Sequence, residues 1–146
     1  MHHRNVSFRL DDLQRVWFIV QKFTAFEGVA HTFISFEYKT PEGPKSVGVS
    51  VEVRREKGEV YSPFRRLYRQ YEMIYVVGDE CDLIGSRTAM RPSDRVSMYQ
   101  VNATPQEVQE LFVKVASKIE TLHSQPQFYH TPVSYTHLTL PTNREA

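Results

Sequence analysis

AHTFISFEYKTPEGPKSVGVSVEVRREKGEVYSP, residues 30–63, places two apolar-rich segments on either side of a turn. Side chains alternate along a strand. In 30–38 that puts Thr32, Ile34, Phe36 and Tyr38 on one face, and His31, Phe33, Ser35 and Glu37 on the other. KTPEGP, 39–44, carries two prolines and a glycine and reads as a turn. In 46–54, Val47, Val49, Val51 and Val53 form one face, and Gly48, Ser50, Glu52 and Arg54 the other. So short a connection predicts an antiparallel pair. Folded about the turn, His31 comes opposite Glu52 to within a residue or two, and these two are the candidates for chemistry.

Working outward, RVWFIVQKFT, 15–24, is rich in β-branched and aromatic residues and predicts a strand buried on both faces. Residues 1–14 are polar, with Leu10 and Leu13 as anchors, and read as an irregular lead-in. Downstream, 56–62 reads as turn, 63–71 as a short helix opened by Pro63, EMIYVV (72–77) as a strand, 79–94 as loop or a short helical turn, and RVSMYQVN (95–102) as a further strand. Thr104-Pro105-Gln106-Glu107 is a capping-box helix start. Val108, Leu111, Phe112, Val115, Ile119 and Leu122 then recur at helical spacing to about residue 123. The expected class is α+β, a mainly antiparallel sheet with a long C-terminal amphipathic helix on one face.

The chain has 146 residues, enough for one core, with a formal net charge of +1. Arg65, Arg66 and Arg69 are the nearest approach to a basic cluster, and Glu52, Glu56, Glu59 and Glu72 interleave with them. A mixed-sign surface follows, which argues against a nucleic-acid partner. No cofactor is implied. His123 and His130 lack further ligands at metal spacing, so no metal site is expected. Cys81 is the one cysteine and reads as a small buried or half-buried residue.

Residues 132–146, PVSYTHLTLPTNREA, share no pattern with what precedes them. VSYTHLTLPT, 133–142, resembles one translated frame of a sequencing-library adapter of the kind carried by metagenomic reads. The natural domain is therefore expected over 1–131, with 132–146 a non-native tail.

HTFISFEY, SVEVRREKGEVYSPFRRLYRQYEMIYVVGDECDLIGSRT, VQELFVKVASKIETL and PQFYHT together resemble the Lnb N-terminal periplasmic domain family, formerly a domain of unknown function. The resemblance covers about residues 5–131. It implies a periplasmic, membrane-associated protein of a Gram-negative bacterium, the membrane association lying in other segments. It further implies a permuted papain-like (NlpC/P60-like) fold, here incomplete. Lnb proteins are associated with N-acylation of lipoproteins, so a lipoprotein, phospholipid or peptide substrate is implied. The histidine of the family's HTF motif matches His31, and the glutamate of its SVE motif matches Glu52. The family continues past a FYNT-like segment into Asn-Cys-Thr-Thr, whose cysteine is the expected nucleophile. Here FYHT, 128–131, is followed by the tail, so the chain is expected to be catalytically inert as it stands. Cys81 lies where relatives carry arginine and does not inherit the nucleophile's role.

The resemblance thus implies a cysteine-dependent acyltransferase or hydrolase in which His31 is base and then acid and Glu52 orients it. On the residues alone, His31 is a part-buried sheet histidine with a satisfied hydrogen bond, and Glu52 an ion-pair partner of Arg54, Arg66 or Arg69. Arg69, Tyr71, Tyr61 and Ser62 either line a groove or serve the fold. A non-catalytic envelope-binding module and a cell-wall peptidase or amidase are the alternative functions.

Overall fold

A computed structural model describes residues 6–24, 30–54, 72–90 and 92–126. The expected turn at 56–62, the helix at 63–71, and the residues Tyr61, Ser62, Arg69, Tyr71, His130 and the 132–146 tail lie outside the described residues. The chain divides into two compact units: Met1–Val51 with Tyr75–Ile119, and Glu52–Ile74 with Glu120–Ala146. The second unit contributes, among described residues, the end of one strand, the start of another and the last turns of a helix.

The described residues form five strands: β1 (Leu13–Lys22), β2 (Ala30–Thr40), β3 (Gly43–Arg54), β4 (Glu72–Asp79) and β5 (Arg95–Gln100). They form one antiparallel sheet in the order β4-β3-β2-β1-β5. The β2–β3 hairpin turns at Pro41-Glu42, and Gly43 takes φ +118°, a conformation open to glycine and strained for other residues. Thr40 Oγ1 donates to the Gly43 carbonyl and closes the turn. Pairing then sets Phe33 against Ser50, Ile34 against Val49, Ser35 against Gly48 and Phe36 against Val47. On the other side β2 pairs with β1, Ile19 against Phe33 and Gln21 against His31.

The central strands are covered on both faces, as the apolar run in β1 requires. Helix α2 (Pro105–Ser124) begins at the expected capping box, in which Thr104 N–H donates to Glu107 Oε2 at 2.8 Å and Glu107 N–H donates to Thr104 Oγ1 at 3.3 Å. Its Phe112 meets Phe36 edge-on, with ring centroids 5.2 Å apart, and Phe8 stacks on Tyr38 and meets Phe112 edge-on. Val108 and Val115 are buried on the same helix. Burying a side chain such as Phe36 contributes about 1.5–3 kcal/mol.

The opposite face is covered by α1 (Glu80–Met90), a helix of 11 residues where the sequence predicts loop or a short helical turn. The apolar content of α1 is low, so periodicity does not announce it. Leu83 carries its packing, in a cluster with Ile19 and Phe33 flanked by Trp17, Val76, Ile84 and Val96. Gly48 makes room for this: a Cβ there would lie 2.5 Å from Leu83 Cδ1. At the N-terminal end Leu10–Asp12 form a 3-10 turn; Leu13 is fully buried as expected, whereas Leu10, expected as an anchor, is exposed.

Candidate functional site

His31 sits near the start of β2 on the α1-covered face, only 8% exposed. Its Nε2 lies 2.8 Å from Oγ of Ser50, which is fully buried on β3. Ser50 Oγ also accepts a hydrogen bond from an Nη of Arg87, again at 2.8 Å. The Arg87 guanidinium lies over the Phe33 ring, 5.0 Å from its centroid. Phe33 is the cross-strand partner of Ser50. His31 from β2 and Arg87 from α1 thus converge on one hydroxyl of β3.

The hydroxyl suits both neighbours. A serine oxygen accepts through two lone pairs and donates once, whereas a guanidinium only donates. With Arg87 on one lone pair, Ser50 keeps a donor and an acceptor for the imidazole. The cation is placed over an aromatic face, an arrangement worth about 0.5–2 kcal/mol depending on desolvation.

On the other side of His31, Gln21 is its cross-strand partner and is 2% exposed. The Gln21 amide donates to Asp94 Oδ2 at 2.8 Å, and Asp94 Oδ1 accepts from Thr24 N–H at 3.1 Å. Gln21, His31 and Ser50 therefore form a buried polar row across three adjacent strands.

Of the two residues expected to carry chemistry, His31 is where its strand periodicity places it. Glu52 is half-buried on β3, two residues beyond Ser50, and belongs to the second compact unit. Ser50 and Arg87 were not singled out from the sequence. Ser50 reads there as the polar member of an alternating strand, and Arg87 lies in a segment read as loop or a short helical turn.

Cys81 is exposed, not buried or half-buried as expected, because it lies on the first turn of α1 away from Leu83. The Asp79 carboxylate, above all, pushes its thiol above the ordinary range, with smaller pushes from desolvation, Glu80 and Asp82. Such a thiol is a poor thiolate at neutral pH. Among the described residues no group of three or more His, Cys, Asp and Glu stands ready to hold a metal ion. No helix among them is long and apolar enough to cross a membrane.

The family model of the Lnb N-terminal periplasmic domain matches residues 1–133. The chain belongs to that family. Membership in the Lnb N-terminal periplasmic domain family makes this a periplasmic domain. No curated protein and no solved structure matches the chain.

Proposed function

We propose that this Lnb N-terminal domain carries the histidine of a periplasmic thiol-dependent acyltransferase or hydrolase of papain-like ancestry. The observation that supports it is a buried His31 whose Nε2 is tied to a fixed hydroxyl, 2.8 Å away, on the neighbouring strand. A ring so tied has a defined orientation, which a general base requires. In this reading the thiol comes from the Asn-Cys motif that the family carries beyond its FYNT-like segment. His31 takes the thiol proton. The thiolate attacks an acyl carbonyl, forming a thioester as the leaving group departs with the proton returned by His31. An acceptor amine or water then takes the acyl group, and the thiol is restored. Glu52 enters this scheme through its match to the glutamate of the family's SVE motif, as the residue that orients the histidine.

The test uses a chain lengthened through the family's Asn-Cys-Thr-Thr motif and an acyl-type thiol probe. The new cysteine is expected to be labelled, and His31→Ala to slow labelling by roughly 10²–10⁴, the usual contribution of a positioned acid–base group. Labelling that ignores His31→Ala would overturn the role and leave the envelope-binding module as the better reading. Turnover of cell-wall peptides rather than acyl donors would select the peptidase or amidase variant.

A further inference from the structure

The polar row invites a question that neither the family match nor the sequence motifs address: what holds the imidazole in place. We infer that Ser50 and Arg87 are the positioning residues of His31, the hydroxyl fixing the ring through Nε2 and the guanidinium fixing the hydroxyl.

The construction can be followed from the backbone outward. Gly48 has no side chain, and Leu83 occupies the space a Cβ would take. This lets α1 settle onto β3. Leu83 and Arg87 are four residues apart on α1 and so share one face of it. Seating Leu83 in the cluster with Ile19 and Phe33 therefore delivers Arg87 to the same patch of sheet. There the Phe33 ring and the Ser50 oxygen fix the guanidinium from two directions, 5.0 Å to the ring centroid and 2.8 Å to the oxygen. The oxygen, so held, meets His31 Nε2 at 2.8 Å. All of these residues belong to one compact unit. Which ring nitrogen carries the proton is set by the hydrogen bond the other makes. A neutral ring can meet the Ser50 oxygen through Nε2–H or the Ser50 proton through a bare Nε2; the base role proposed above requires the first, which leaves Nδ1 bare toward a reacting group.

The inference deepens the thiol chemistry proposed above and rests on it for its catalytic meaning. Its test runs on the chain as it stands and needs no thiol, so the two can fail separately. The ¹⁵N resonances of the His31 ring are read at a pH where imidazole is neutral, with the amide spectrum as the check on folding. The native chain is expected to show one protonated and one unprotonated ring nitrogen, well separated. Ser50→Thr and Ser50→Val differ by little more than the hydroxyl. Ser50→Thr is expected to retain the separation and Ser50→Val to lose it, the two resonances converging as both tautomers exchange. Arg87→Met is expected to bring them together as well, with Arg87→Lys intermediate. A folded Ser50→Val that keeps the native separation would overturn the inference. Should Ser50→Val not fold, Arg87→Met decides: converged resonances support the inference and unchanged ones overturn it.

Discussion

The two faces of the sheet are built from the same three strands and behave as different materials. On the α2 side, Val16, Ile34, Phe36, Tyr38 and Val49 are buried in an apolar layer in which Tyr38 stacks on Phe8 and Phe36 meets Phe112. On the α1 side, the alternate residues of the same strands are Gln21, His31, Phe33, Ser35, Gly48 and Ser50, where apolar, polar and absent side chains share one layer. Gln21, His31, Ser35 and Ser50, polar residues that are nonetheless buried, all lie on the second face, where an unmet buried donor or acceptor costs about 1–3 kcal/mol. Stability can be placed on one face and chemistry on the other because period-two alternation keeps their side chains apart.

The largest expected effects separate the faces by consequence rather than by size. Phe36→Ala and Phe33→Ala should each cost about 3–5 kcal/mol in denaturant unfolding, the usual range for a buried phenylalanine. Phe36→Ala should leave the ¹⁵N spectrum of His31 as it is, whereas Phe33→Ala should alter it by removing the ring beneath Arg87. Equal ring spectra in the two variants would erase the distinction.

A second contrast lies within the α1 face. Ser50 and Ser35 are both fully buried, but Ser50 Oγ bonds to both His31 and Arg87, whereas Ser35 Oγ has no partner among the described residues. Ser50→Ala should therefore lower stability by about 1–3 kcal/mol, because His31 and Arg87 lose a shared partner. Ser35→Ala should leave it unchanged or raise it by up to about 1 kcal/mol. Chemical denaturation of both variants ranks them, and equal losses would show that burial alone sets the cost.

What could be read from the sequence divides along the same line. The hairpin, its alternation and the start of α2 were legible because each has a local signal: a Pro-Gly turn, a period of two, and a Thr104–Glu107 capping box. The membership of each face was legible too. The covering of the polar face was not. It depends on α1, whose few apolar residues give no clear period, and on Leu83 filling the place of a side chain that Gly48 lacks. Without α1, Ser50 is one polar position of an alternating strand and Arg87 part of a loop or short helical turn. His31 was found through a family motif. Its partners were missed because their meeting is tertiary, 37 residues apart for Ser50 and Arg87. The exposure of Cys81 was missed for the same reason.

The smallest effect expected belongs to the helix over the apolar face. Hydrogen bonds from the Thr104 backbone, first, and its hydroxyl, second, hold the Glu107 carboxyl below the ordinary carboxylate range. A group whose pKa is lower folded than unfolded stabilises above its unfolded pKa, and loses that contribution as pH falls through the folded value. Glu107→Gln should thus be slightly less stable than the native chain at neutral pH. The gap should close on acidification below the carboxylate range, as followed by thermal unfolding across pH. A gap that widens on acidification would reverse the sign argued here.

Gly43, with its φ of +118°, fixes which residues of the hairpin stand opposite one another. A strand slipped by one position presents its other set of side chains. One extra codon whose residue is absorbed into β3 would bring a valine beneath Arg87 in place of Ser50, with every original letter of the strand still present. A substitution at Pro41 or Glu42 would leave that spacing untouched. For this domain, counting residues between the histidine and the serine is a stricter criterion of inheritance than matching the loop that joins them.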